Sequence, residues 1–344
     1  MVEKTMKAIC LVRFGEASEA FEIRETRMPE AGQGEVLIKV KSSGLNFADV
    51  MARRGLYRDA PPLPAVLGYD VAGVIEKIGP GVTGLEPGQP VVGFTRFGGY
   101  AGYVTTQAGA VSSIPEGFDY ARATALGTQA CTAIYLAEEA TRLYPGEKVL
   151  IQAASGGVGQ LLIQLARYYG CEIFGTASGS KMEFLKELGV DHPIDYTRED
   201  FFKTISLMGV RLDVVFDNLG GRRYKQGLKL LGPCGRILSY GAADQNKGAS
   251  TSRWDTLKLG LGFGFHSPIP LVVKSQSMIG VNMLRIADHR PEIMKKLLGR
   301  AVELATQGIL NPRLDRTFPA EKIHEAHAWL ESRKSMGKVA IEWE

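Results

Sequence analysis

The 344-residue sequence lacks a cysteine framework: its four cysteines, Cys10, Cys131, Cys171 and Cys234, are scattered and form no C-x-x-C pair. That excludes a disulfide scaffold and argues against a zinc site built on thiolates. The four are read as isolated buried thiols of a reducing compartment. The sequence also lacks an apolar run long enough to cross a bilayer. The nearest, residues 259–273 (LGLGFGFHSPIPLVV), is broken by glycines, a histidine and two prolines. No excess of one charge is present, with 41 Lys and Arg against 37 Asp and Glu interspersed along the chain. Such a balance demands neither nucleic acid nor a membrane surface as partner. With no secretory pattern at the N-terminus, a cytoplasmic protein is expected. Neither repeats nor low-complexity segments occur. Hydrophobic residues make up 45% and charged residues 23%, the composition of a globular protein, and the length predicts two domains.

What is present centres on residues 147–181, EKVLIQAASGGVGQLLIQLARYYGCEIFGTASGSK. A strand pattern (Val149, Leu150, Ile151) runs into Ser155, Gly156, Gly157, Val158 and Gly159. An apolar helical pattern follows (Leu161, Leu162, Leu165, Ala166), then Gly170 and a second strand. This order places a dinucleotide pyrophosphate at a helix N-terminus, where orphan N–H groups point at the anion and glycines let the backbone approach it. The motif is A-x-x-G-x-x-G, with Ala153 where a first glycine is usual. The second strand ends in Thr176-Ala177-Ser178-Gly179-Ser180-Lys181, without the Asp or Glu that would hold ribose hydroxyls. Ser178 and Lys181 offer a hydroxyl and an ammonium for a 2′-phosphate, so NADPH is expected over NADH. Ser180 also reads as the cap of a helix starting at Lys181, with Glu183 completing a capping box.

Strands are expected at 7–12 and 36–43, separated by a loop at Pro29 and Gly32–Gly34. Short Val-, Gly- and Pro-rich runs over 66–115 predict an antiparallel barrel or rolled sheet. Helical periodicity follows at 120–140. Strands at 149–153, 171–176, 193–196, 213–217, 235–240 and 277–284 then alternate with helices, the pattern of a doubly wound parallel sheet. A helix near 288–307 and a strand–helix–strand over 316–344 close the chain.

The segments GLNFADVMARRGLY (44–57), PAVLGYDVAGVIEKIGPGV (64–82), AASGGVGQ (153–160), GTASGSK (175–181), GVDHPIDY (189–196) and GKVAI (337–341) resemble the zinc-free quinone oxidoreductase branch of the medium-chain dehydrogenase/reductase superfamily, most of all its vesicle amine transport protein-like subgroup. The resemblance implies an α/β protein with a GroES-like β-barrel catalytic domain (1–126), a Rossmann cofactor domain (127–284) and a C-terminal segment (285–344) returning to the first. It also implies NADPH, reduction of a quinone or similar conjugated carbonyl, and a homodimer, with the strand at 277–284 as the pairing edge. Zinc-dependent relatives place Cys, His and Cys where this chain has Asn46, Tyr69 and Thr128, none a normal zinc ligand, so no metal is expected.

By the same resemblance Asn46 lies beside the nicotinamide, where its amide donates to a substrate oxygen; as a bare residue type it equally suits a turn. Tyr57 either lines the pocket or packs at a domain edge. Asp49, three residues after Asn46, is expected to orient its neighbours, and Thr128 either approaches the nicotinamide or is an ordinary helix residue. Tyr196 is implied to help Ser178 and Lys181 hold the adenosine phosphate. Asp217, Asn218 and Gly241 sit at the carboxyl edge of the sheet, where ligands bind. Lys338, in the terminal GK, resembles a cofactor contact. His266 is a weak proton-donor candidate, and His324 with His327 reads as surface or packed histidines rather than a metal pair. No proton donor is named by the sequence. Three further readings stay open: an alkenal or enone reductase, a protein acting mainly in trafficking or partner binding, and RNA binding, which the dispersed charge does not support.

Overall fold

A computed structural model of the chain describes residues 4–242, 263–264 and 266–344. The chain divides into two compact units, one of Met1–Thr132 with Met283–Glu344 and one of Ala133–Asn282.

The first unit is built mainly on antiparallel strands, although Leu314–Pro319 runs parallel to Lys338–Glu342. One sheet runs Leu314–Pro319, Lys338–Glu342, Glu35–Leu45, Asp70–Ile78, Pro90–Phe94 and Val111–Ser113, with Tyr103–Gln107 also pairing Glu35–Leu45. A smaller sheet joins Phe21–Arg27, Thr5–Leu11 and Ala65–Val66. Phe21–Arg27 is a strand that the sequence pattern does not name. Its residues are mostly exposed, so no apolar alternation announced it. Strand Lys338–Glu342 is antiparallel to Glu35–Leu45 with Val339 opposite Leu45 and Ala340 opposite Gly44, and Asp70 lies opposite Gly44 on the other side. That register brings Lys338, Asp70 and the end of Glu35–Leu45 together. The core pools Leu45, Leu67, Tyr69, Tyr100, Phe318, Ile323 and Ile341, and a second cluster gathers Val36, Ile38, Val71, Ile75 and Val91.

The second unit is a six-stranded parallel sheet. In chain order its strands are Lys148–Ile151, Glu172–Ala177, His192–Asp195, Leu212–Asp217, Leu231–Ser239 and Ser277–Gly280, and they lie side by side as third, second, first, fourth, fifth, sixth. Between the first and fourth strands the order reverses, the switch point at which open α/β sheets bind ligands. Val149, Leu150 and Ile151 are fully buried, as central parallel strands require.

Three sequence expectations need correction. The strand expected at 277–284 ends at Gly280, and Met283 already begins a helix to His289; the apolar run SMIGVNML could not show by period where strand gives way to helix. Ser180 is not a cap: it sits inside a 3₁₀ turn, Gly179–Lys181, and the helix Met182–Glu187 that follows has no side-chain cap. Of the four thiols only Cys10 and Cys131 are buried; Cys171 is half-exposed and Cys234 exposed, where a left-handed bend (φ 62°) turns the strand outward. Most of the 245–275 stretch lies outside the described residues.

Candidate functional site

In the second unit the first strand ends at Ile151, and the helix Gly157–Tyr168 begins with Gly156 in the capping position and no side-chain cap. Its first-turn N–H groups are therefore open to a ligand. Ala153 adopts φ 48°, so the position usually held by glycine keeps the left-handed backbone although its residue carries a Cβ. Gly159 must be glycine: a Cβ would lie 2.5 Å from the Ala153 carbonyl oxygen and 2.7 Å from that of Ala154. Gly241 is similarly close to the Asn218 carbonyl, at 2.9 Å. Around this edge Gln152 (both side-chain polar atoms), Thr176 Oγ1, Asn218 Oδ1 and Tyr240 Oη are buried with no hydrogen-bond partner among the described residues. Buried polar atoms are normally paired, so a rim of unpaired ones fits a polar ligand such as a dinucleotide. Asp217 instead turns inward and accepts from the Gly220 N–H at 3.2 Å.

At the end of the second strand two loops come together. Ser178 caps no helix with its side chain and lies 3.5 Å from the Ser180 hydroxyl. Tyr196 N donates to the Ala177 carbonyl at 3.1 Å, which brings the Tyr196 loop against that of Ser178 and Lys181. Two residues not anticipated from sequence join them. Arg223 stacks its guanidinium over the Tyr196 ring at 5.0 Å. Asp195 is packed so near Gly179 that a Cβ there would meet its carboxylate at 2.5 Å, and it accepts from Thr197 N and Oγ1 at 2.9 and 2.6 Å. A carboxylate thus does stand beside the expected phosphate loop, engaged by Thr197. HPIDY showed that carboxylate, but not its fold-back.

The first unit concentrates charge at one buried point. Asn46 is the N-cap of helix Phe47–Arg53, in a capping box with Asp49, whose Oδ2 accepts from Asn46 N at 2.8 Å. The Asn46 side chain also donates through Nδ2 to Asp70 Oδ2 at 2.8 Å. Lys338, fully buried, sets its ammonium 2.5 Å from Asp70 Oδ2 and 3.2 Å from Asn46 Oδ1. Thr128 begins helix Thr128–Ile134 and donates through both N and Oγ1 to Asp70 Oδ1, each at 2.6 Å. Gly44 is the floor of the cluster: a Cβ would collide with the Lys338 side chain and lie 2.7 Å from Thr124 Oγ1. Asn46, Asp49, Thr128 and Lys338, named separately from sequence, are thus one network. Asp70, which holds it together, was missed, although a carboxylate inside the apolar run PAVLGYDVAGVIEKIG was the signal. Lys338, expected at the cofactor, has its ammonium on Asp70 and Asn46.

Close by, burial pushes the Asp49 carboxyl up to about 7, with Asp70 adding to the rise, while the Asn46 N–H, Tyr100 and Lys338 oppose it. Tyr57 is half-buried, and its phenol, raised by burial, approaches Tyr69. The imidazoles divide: His327 is fully buried between Phe21 (4.6 Å) and Tyr100 (5.9 Å), its pKa lowered well below the usual value by burial and by Arg53. His324 is exposed, and His266 lies on the surface with Nε2 2.8 Å from the Phe263 carbonyl. No group of three or more potential metal ligands occurs among the described residues.

Residues 32–116 match the alcohol dehydrogenase GroES-like domain and residues 188–341 match the zinc-binding dehydrogenase family. The synaptic vesicle membrane protein VAT-1 homolog of Rattus norvegicus is 34% identical over 98% of this chain and 84% of its own. Among solved structures, a mycobacterial protein complexed with NADPH superposes with a TM-score of 0.84 at 26% identity, over 98% of this chain and 100% of that one. The quinone oxidoreductase of Coxiella burnetii does so with 0.78 at 28% identity, over 99% and 100%.

Proposed function

The chain belongs to the medium-chain dehydrogenase/reductase superfamily, oxidoreductases that use nicotinamide cofactors, and from that premise we propose that it is an NADPH-dependent, zinc-independent reductase of quinones or related conjugated carbonyls. The observation that carries this reading is the donor set at Asn46, Tyr69 and Thr128. It offers no thiolate or imidazole, and the Lys338 ammonium already sits 2.5 Å from Asp70. A second cation there would meet that buried charge directly, in surroundings that screen it weakly. Without a Lewis acid, the acceptor must take hydride with little activation. Quinones and α,β-unsaturated carbonyls do so, needing only a hydrogen bond where charge develops on oxygen.

Within this reading Ser155–Gly159, Asn218 and Gly241 hold the dinucleotide, and the bound nicotinamide supplies the hydride. Ser178, Lys181 and Tyr196, with Arg223, hold the 2′-phosphate. Asn46 and Tyr57 are the groups for the acceptor oxygen, while Asp49, Thr128 and Lys338 fix Asn46 in place. The Coxiella burnetii likeness favours a quinone. Pairing through the edge strand Ser277–Gly280 would give the homodimer. Among the described residues no helix is long and apolar enough to cross a membrane, and a cytoplasmic location is part of the proposal.

The test is oxidation of NADPH against NADH by the purified protein, with phenanthrenequinone or a 2-alkenal as acceptor and a chelator present. Acceptor-dependent turnover that prefers NADPH, with the preference cut about tenfold by Ser178→Ala/Lys181→Ala, is expected, since charge-assisted contacts contribute about 1.5–3 kcal/mol. Chelator-sensitive turnover would sink zinc independence. Tight NADPH binding with no turnover, together with sedimentation on vesicles, would favour the partner-binding reading that the rat relative's name brings to mind.

A further inference from the structure

The second strand of the parallel sheet ends without a carboxylate of its own, but the fold brings one to it from the neighbouring strand. Glu172–Ala177 and His192–Asp195 run parallel with Ala177 beside Asp195, so their loops leave the sheet together. Asp195 is only 8% exposed. Its Oδ1 is tied: Thr197 donates to it through N at 2.9 Å and through Oγ1 at 2.6 Å. Arg198 N and Glu199 N close the turn that allows this, donating to the Asp195 carbonyl at 3.0 and 2.9 Å. Its Oδ2 stands over Gly179, where a Cβ would press on it at 2.5 Å. The Arg198 guanidinium comes within 3.7 Å of Oδ2, but that side chain is 85% exposed and screened by solvent. The Thr197 hydrogen bonds, with Arg198 and the Gly179 N–H adding to them, hold the Asp195 carboxyl below the usual carboxylate range. It is therefore an anion at neutral pH, set against the middle of the Ser178–Lys181 turn.

Two opposed kinds of group meet at this turn. Lys181 and Arg223 carry positive charge, the chemistry that holds a 2′-phosphate. Asp195 carries negative charge, the chemistry that accepts from a free 2′-hydroxyl. We propose that Asp195 sets how far this chain prefers NADPH to NADH, and that Thr197 is the residue that positions it. The inference deepens, and rests on, the reading of the Ser178–Lys181 turn as the ribose end of a dinucleotide site. Tied to Thr197, one carboxylate oxygen is engaged on its own turn, and the remaining charge is tolerable beside a phosphate. Released from the Thr197 hydroxyl, the carboxylate is free to accept from a ribose hydroxyl instead. A phosphate beside it then meets a like charge that no hydrogen bond offsets. The selectivity is thus a matter of holding a carboxylate back rather than of lacking one.

The experiment titrates NADPH and NADH by fluorescence into wild type, Asp195→Asn, Thr197→Val, Thr197→Ser and the Asp195→Asn/Thr197→Val double variant. Calorimetry with 2′,5′-ADP and 5′-AMP isolates the adenosine end. Asp195→Asn keeps size and an acceptor for Thr197 while removing the charge, and should shift the affinity ratio roughly tenfold toward NADPH. That shift should shrink as salt is added. Thr197→Val should move the ratio about fivefold toward NADH, and Thr197→Ser, which keeps the hydroxyl, should retain the wild-type ratio. In the double variant the Thr197 substitution should add nothing, because it acts through the charge.

An affinity ratio that Asp195→Asn leaves unchanged overturns the proposal. So does a Thr197→Val variant that weakens both dinucleotides alike, the result expected of a turn that is structural only. Retained NADH binding shows that a variant is folded. If wild type binds neither dinucleotide, the functional reading has failed and takes the proposal with it. If wild type binds them, whichever it prefers, the shifts among the variants decide the proposal alone.

Discussion

The dinucleotide turn of one unit and the Asp70 cluster of the other are both polar and both lie at strand ends, yet they are made of different material. The turn is backbone: an uncapped helix start, a left-handed Ala153 and a Gly159 that leaves no room for a Cβ. The cluster is side chain: a buried carboxylate, that of Asp70, with an ammonium, an amide and a hydroxyl each 2.5–2.8 Å from it. A backbone site leaves its donors open for a ligand. The side-chain site satisfies its charges internally, so what it offers a ligand is position. One is poised to bind and the other to hold Asn46 still.

The sharpest way to break the comparison is to remove one charge from the cluster. Lys338→Met leaves Asp70 buried without its ion partner and should destabilise the protein by about 3–5 kcal/mol. Adding Asp70→Asn should restore most of that, as denaturation midpoints would show. If the double variant is no better than the single, the two charges are not a pair in the energetic sense.

Next is the backbone site. Gly159→Ala should raise the NADPH dissociation constant at least about tenfold, roughly 1.4 kcal/mol, because the helix must retreat from the Ala153 and Ala154 carbonyls. Gly156→Ala, whose Cβ would meet the Ala153 carbonyl at a gentler 3.2 Å, should do less. Equal effects in a fluorescence titration would mean that close helix–strand approach is not what the glycines supply.

The smallest effect belongs to His327, buried neutral beside Arg53. Its folded-state pKa lies below the unfolded one, so the unfolded chain binds the extra proton first. The stability is intact above about pH 6.5 and lost as the pH falls through the folded value. Urea midpoints of wild type should therefore drop in that acidic window, and those of His327→Leu should drop less. An unchanged slope would place the acid sensitivity elsewhere.

The same contrast explains what could be read in advance. The backbone site follows from contiguous sequence: strand, glycines, helix and second strand fall within 147–181, and the parallel sheet follows from the alternation after it. The cluster does not. Asp70 and Lys338 are 268 residues apart and meet only through the register of the terminal strand on Glu35–Leu45. Asn46, Asp49, Thr128 and Lys338 could be named one at a time, but their common partner could not. Ser180 was misread because a hydroxyl three residues before a Glu fits a capping box as well as it fits a 3₁₀ turn.

Gly44 carries a consequence for descent. Any side chain there collides with Lys338, which the register sets beside it. The two positions, at opposite ends of the chain, are therefore not free to vary alone. A lineage that acquires a side chain at 44 must first lose the lysine at 338 or shift the terminal strand. Among descendants of this sequence the pair should be inherited, or abandoned, as one character.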